Sequence, residues 1–255
     1  MNYGICLLNA IPLRIEPNHR SEMISQVLFG ELFKILEKSD GWVRIILDED
    51  NYEGWVSHHQ IKLLSETEYI AASKEVNRYC HELVSHVQIN EDFIPISLGA
   101  KILSNERSNI IFGKTLNFEC DTIEGCQSKQ EIVKTAYYYL NSPHLWGGKT
   151  PFGIDAPGFT QMVYRINGYP LLREAYQQAS QGEVLSFIEE SEPGDLAFFD
   201  DEEGNIIHTG IILRNHNIIH CWGEVRIDKI DHSGIFNVRL NKHTHNLRVI
   251  KQIFK

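Results

Sequence analysis

Residues 155–158 read Asp-Ala-Pro-Gly and open a stretch that stops at Asn167-Gly168. Asp155 suits a helix N-cap, where a short carboxylate accepts a backbone N–H of the first turn. Pro157 has no N–H to offer, so Gly158 is the expected donor; proline in a first turn leaves the helix intact. Residue 156 then stands at the positive end of a helix dipole, where a thiol would be acidified and nucleophilic. The residue there is alanine. Two histidines follow at a spacing of 12, His208 in Ile-Ile-His-Thr-Gly and His220 in Ile-Ile-His-Cys. A hairpin turning through Arg214-Asn215-His216 makes them cross-strand neighbours on one face. One ring could serve a nucleophile while the other orients it. Spacing alone leaves a second reading open, two partly buried histidines bonded to backbone.

These groups need elements to hold them. Gln130 to Leu140 reads as a helix, with Ile132, Val133, Ala136, Tyr137 and Leu140 on one face. A Gly-rich stretch, Trp146 to Asp155, precedes a second helix from Ala156 to about Ile166. Strands are expected at Leu196–Phe199, Ile206–Leu213 and Ile218–Trp222. Helices followed by an antiparallel run make residues 128–255 an α+β domain. Residues 1–64 read as five short strands ending in Gly54-Trp55-Val56, a small closed barrel with Trp42 and Trp55 in its core. Residues 65–84 are helix-forming and read as a connecting helix. Residues 85–127 return to short strands, at Phe93–Ile96, Asn109–Phe112 and Thr115–Phe118, punctuated by Gly99 and Gly113, and read as a second, degenerate barrel.

Composition narrows the function classes. The chain has 255 residues, 42% hydrophobic and 23% charged, an ordinary globular balance. A formal charge of −10 disfavours nucleic acid as a partner. No long apolar run suits a membrane span, and the start Met-Asn-Tyr-Gly-Ile-Cys does not read as a secretory signal. Cys6, Cys80, Cys120, Cys126 and Cys221 are odd in number and irregular in spacing, which fits a reducing cytoplasm better than a disulfide framework; a periplasmic location stays open if a signal was trimmed. The cysteines lack zinc-ligand spacing, and Lys242-His243-Thr244-His245 reads as a solvated turn, so neither a metal nor a cofactor is expected.

Five ordered blocks carry a family resemblance: Pro143-His144-Leu145-Trp146-Gly147-Gly148, Gly153-Ile154-Asp155-Ala156-Pro157-Gly158-Phe159, Pro193-Gly194-Asp195-Leu196-Ala197-Phe198-Phe199, His208-Thr209-Gly210-Ile211 and Ile219-His220. Together they resemble the NlpC-type cell-wall cysteine peptidases. The nearest look-alikes are the bacterial γ-D-glutamyl-L-diamino-acid endopeptidases with N-terminal SH3-like domains. The resemblance implies a papain-like α+β domain behind two SH3-like barrels, and a Cys-His-His triad with His208 as base and His220 as orienting group. It also implies that Asp155 holds the α-amine of a peptide's N-terminal L-Ala, that Trp146 walls the same pocket, and that an acidic residue of the first barrel, Glu22 or Glu16, meets the amine. Arg173 and Gln178 are expected as structural supports.

The chain departs from that pattern at its centre. Ala156 stands where the family has cysteine, Pro157 follows in place of serine, His144 replaces tyrosine, and Cys221 and Trp222 replace small residues. Alanine has no lone pair to attack a carbonyl, so the chain is expected to be inactive as written. Cys221 cannot substitute if His220 faces the site, because adjacent strand residues point to opposite faces. Three readings follow: an endopeptidase scaffold lacking its nucleophile, a binding module for short murein peptides such as L-Ala-γ-D-Glu-diamino acid, or a protein-interaction module built on the barrels.

Overall fold

The computed structural model describes residues 2–103, 110–112 and 114–253, with backbone only at 110 and 111. Asn109 and Gly113 lie outside the described residues. The chain divides into two compact units, residues 1–125 and 126–255.

The first unit begins with strands β1 (Tyr3–Ile5), β2 (Ala10–Arg14), β3 (Met23–Leu28), β4 (Leu32–Ser39), β5 (Trp42–Leu47), β6 (Glu53–Ser57) and β7 (Lys62–Leu64). They make one sheet in the order β3-β2-β6-β5-β4-β1-β7. Alternate residues point inward, so Ile11, Leu13, Val27, Phe33, Val43, Ile45 and Val56 form the core. Trp42 and Trp55 are only half-buried, contrary to expectation, because the inward register falls on Val43, Ile45 and Val56 instead. The helical stretch expected over 65–84 is confined to α1 (Glu66–Ser73). Ser65 starts it with a capping box, its Oγ accepting from the Glu68 N–H at 3.3 Å while the Glu68 carboxylate accepts from the Ser65 N–H at 2.7 Å. It stops at Lys74, and the chain re-extends into β8 (Arg78–Cys80), where Tyr79 pairs with Ile123.

Strands β9 (Val84–Ile89), β10 (Asp92–Ser97), β11 (Ile110–Ile111) and β12 (Lys114–Phe118) form a second sheet, and β8 pairs with β13 (Thr122–Glu124). Their core gathers Phe29, Cys80, Val87, Ile89, Ile96 and Leu116.

The second unit opens with α2 (Lys129–Tyr138), a small hairpin of β14 (Lys149–Thr150) and β15 (Gly153–Ile154), α3 (Ala156–Ile166) and the short α4 (Ala175–Gln178). Strands β16 (Glu183–Leu185), β17 (Leu196–Asp200), β18 (Ile206–Leu213), β19 (Asn217–Trp222), β20 (Glu224–Asp231), β21 (Gly234–Asn237) and β22 (Lys242–Gln252) follow. The order is β16-β22-β17-β18-β19-β20-β21, and β22 also pairs with β21. Strands β17 to β22 therefore close into a ring. Its interior holds Ala197, Phe199, Ile212, Ile218, Ile230, Ile235 and Ile250. Helix α3 packs on β18 and β19 and against α2. The unit is an α+β structure, rich in strands with few helices.

Ser65→Ala removes the hydroxyl of the α1 capping box. It should lower stability by about 1 kcal/mol, read as a shift of the urea midpoint. A midpoint unchanged from the parent would show that α1 does not depend on its cap.

Candidate active site

The start of α3 is fixed by one carboxylate. Asp155 takes extended backbone angles and its Oδ1 accepts from the Gly158 N–H at 2.7 Å, the donor expected once Pro157 is excluded. Its Oδ2 accepts from the Gly147 N–H at 2.8 Å and from the Arg173 guanidinium at 2.6 Å. Both charges of the Arg173–Asp155 pair are buried. Gln178, also buried, accepts from the Thr160 hydroxyl at 2.7 Å and donates to the Pro157 and Leu172 carbonyls at 2.9 Å. Gly158 is required here, because a Cβ would lie 2.4 Å from the Gly148 carbonyl oxygen. The outcome is a rigid helix entry with Ala156, 5% exposed, as its first residue.

The histidines come together through the hairpin. Asn215 and His216 take positive φ values of 60° and 53° in the three-residue turn, Arg214 to His216, that joins the paired ends of β18 and β19 at Leu213 and Asn217. Register places Gly210 opposite His220, so His208 lies diagonally across, two residues along on the same face. Gly210 makes room for this, since a Cβ there would meet the His220 Cβ at 2.8 Å. His208 Nε2 and His220 Nδ1 are 2.9 Å apart, and His220 Nε2 lies 3.2 Å from Asp228 Oδ2. An ionised carboxylate only accepts, so His220 donates from Nε2 and His208 donates from Nε2 to His220 Nδ1. Asp228 is held in turn by Arg226 at 2.8 Å and by the Asn237 amide at 3.2 Å.

Asp228 was not singled out by sequence reading. The available signal was alternation on β20, where Arg226 and Asp228 share a face with His220 of the neighbouring strand. His245 does not lie in the solvated turn that its tract suggests. Residues 242–245 begin the long strand β22, and the His245 ring stacks on His208 with centroids 4.2 Å apart. Alternation is broken in this strand by a bulge, which hid its face from a reading of period two.

The remaining residues sort plainly. His144 is exposed, and its backbone N–H donates to the Gly223 carbonyl. Trp146 is 62% exposed and Pro157 is partly buried. Cys221 is buried and donates from Sγ to the Ile154 carbonyl at 3.1 Å. Burial, with the Asp155 charge, pushes its thiol up to about 12, so it is no nucleophile at neutral pH. Glu16 and Glu22 belong to the first unit.

Burial lowers the pKa of all three ring-cluster histidines. In His208 the neighbouring imidazoles of His220, His245 and His144 push it down further. In His220 burial outweighs the opposing pull of Asp228, and His245 falls to about 4 through burial and the His220 ring. For Asp228 burial works upward, yet hydrogen bonds from His220 and Arg226 prevail and lower its carboxyl pKa.

Two predictions follow from this geometry. Arg173→Met strips the Asp155 carboxylate of its buried counter-charge and should cost about 3–5 kcal/mol in urea unfolding; a loss below about 1 kcal/mol would mean the pair is dispensable. His245 binds fewer protons folded than unfolded between about pH 6.5 and pH 4, so its contribution is complete above pH 6.5 and is lost as pH falls toward 4, and the lowered pKa values of His208 and His220 act in the same direction. The urea midpoint should be lower at pH 5 than at pH 7, and His245→Gln should narrow that gap. A gap of undiminished size in the variant would exclude His245 as a source.

Comparison with known proteins agrees with this architecture. Residues 13–61 match the model of the bacterial dipeptidyl-peptidase SH3 domain, and residues 141–245 match that of the NlpC/P60 family. A gamma-D-glutamyl-L-lysine dipeptidyl-peptidase of Bacillus subtilis (strain 168) is 28% identical over 211 residues, covering 77% of this chain and 71% of that one. Dipeptidyl-peptidase 6 of Lysinibacillus sphaericus is 22% identical over 257 residues, covering 86% and 88%. The crystal structure of an NlpC/P60 family protein from Bacillus cereus ATCC 10987 superposes with a TM-score of 0.83 at 15% identity, over 98% of this chain and 99% of that one. The helix capped by Asp155, lying on the strands that carry the paired histidines, thus falls in an NlpC/P60-type domain over residues 141–245, preceded in the chain by an SH3-type domain over residues 13–61.

Proposed function

We propose that the chain is the scaffold of a murein-peptide γ-D-glutamyl-L-diamino-acid endopeptidase of the Cys-His-His kind, which binds its peptide and does not cut it because the nucleophile position is Ala156. The relay His208–His220–Asp228 carries this reading. The segment entering α3 wraps the same end of the sheet: Pro143 bridges Glu224, the His144 N–H bonds Gly223, and Cys221 Sγ bonds the Ile154 carbonyl. The name of the Bacillus subtilis relative, a gamma-D-glutamyl-L-lysine dipeptidyl-peptidase, supports a γ-D-glutamyl-diamino-acid bond as the target.

In such a scaffold His208 would act through Nδ1 as the base, since its Nε2 proton is committed to His220. A neutral ring at pH 7 suits that role. His220 and Asp228 would fix the ring and stabilise it when it charges. The α3 dipole would favour a thiolate at position 156. A methyl group supplies none of this nucleophile chemistry. Recognition is a separate matter. Asp155 already receives three hydrogen bonds and a carboxylate accepts about four, which leaves room for a peptide α-ammonium. Exposed Trp146 and His144 would line the approach. Four of the five cysteines are buried and none is in a disulfide, in keeping with a cytoplasmic protein acting on recycled cell-wall peptides.

Ala156→Cys should cleave L-Ala-γ-D-Glu-L-Lys, detected by mass spectrometry, at a rate at least about a thousandfold above the parent. Calorimetry should show the parent binding the same peptide. A parent that gives no heat of binding, together with a cysteine variant that leaves the peptide whole, would overturn the proposal and favour the barrels as the working part.

A further inference from the structure

His208, His220 and His245 do more than form a relay. Each offers a ring nitrogen, and the three nitrogens lie within 4.8 Å of one another. Among the described residues this is the one group of three or more metal-ligating side chains so placed. The strands that carry them, β18, β19 and β22, belong to the closed ring, so the cluster is held by backbone pairing and not by a loop.

We propose that these three imidazoles form a binding site for a divalent transition cation of the zinc class. Three histidines with an open fourth position are a recurrent zinc arrangement, and imidazole is a preferred ligand for zinc, copper and nickel. His220 already has the outer support that such a ligand needs. Its Nε2–H is donated to Asp228, which Arg226 and Asn237 hold, and this leaves the Nδ1 lone pair aimed at the cluster. His208 Nε2 now donates to that lone pair at 2.9 Å. On metal entry the His208 proton moves to Nδ1, the ring stays neutral, and the cation takes the place of the hydrogen between the two rings. Zinc–nitrogen bonds of about 2.0–2.1 Å in a tetrahedral site put ligand nitrogens about 3.3 Å apart, so this pair opens by only about 0.4 Å. His245, its ring now stacked on His208 with centroids 4.2 Å apart, supplies the third nitrogen by turning its ring out of that stack so that an in-plane lone pair meets the cation, and the perpendicular Trp222 ring lies beside it at 5.8 Å between centroids. The site stands on these rings alone and does not require the peptide reading to hold.

The test uses the full chain, stripped with chelator and desalted, then titrated with Zn2+ in competition with a chromophoric chelator. One Zn2+ per chain should be taken up. His245→Ala should abolish this one-to-one uptake, and Asp228→Asn should weaken it by about 10–100-fold. Far-UV circular dichroism establishes that each variant is folded before titration. Ring 15N spectra of the parent need no variant: one equivalent of Zn2+ should move the nitrogen resonances of three histidines together. Failure to compete with the chelator, uptake undiminished in His245→Ala, or shifts confined to other histidines would each overturn the proposal. Peptide calorimetry on the metal-free chain is unaffected by any of these results, so the two readings fail separately.

Discussion

The Asp155 carboxylate is the point on which the candidate site depends. It caps α3, holds the Gly147 N–H of the preceding loop, and neutralises the buried Arg173. Any one of these contacts is ordinary. Their convergence on two oxygens means that the glycine loop, the helix entry and the segment before α4 cannot move independently. Taking a charged pair out of water is expensive, and it is tolerated only where further donors complete the coordination of the carboxylate. Gly147 and Gly158 supply them. The position of residue 156 is therefore set by electrostatics that involve nothing of residue 156 itself.

The imidazole series is built on the opposite principle, neutrality. His208 and His220 sit inside the ring of strands, on the face that also carries Ile212 and Ile218. Charged rings would be costly there, and burial keeps them uncharged. Asp228 supplies the one fixed charge, with Arg226 to balance it. The polar chain thus runs from a paired carboxylate, through two neutral rings, to a nitrogen that is free to accept.

Much of this was legible in the sequence because it is local. The α3 boundaries follow from the Asp155 cap and the Asn167-Gly168 stop, and the histidine pairing follows from a short hairpin turning through Arg214, Asn215 and His216. What was not legible is what depends on distant parts of the chain meeting. Asp228 acts from the next strand at a diagonal, so no short motif announces it. His245 reaches the cluster only because β22 pairs with both β21 and β17, and bulges between Ile235 and Phe236 and between Phe198 and Phe199 shift the faces of those strands. The two tryptophans of the first barrel show a subtler failure. Size favoured them for the core, but strand parity decided for their smaller neighbours.

Closure of β17–β22 has a last consequence. In an open sheet an outer strand that slips by one residue turns over only its own side chains. In a ring every slip must be passed on to the next strand until it returns to where it began, so the six described strands lock one another's alignment. Such a frame draws none of its strength from a reactive sulfur. A lineage could discard the thiol and still inherit the same arrangement of rings and carboxylates, left standing for whatever other use selection finds in them.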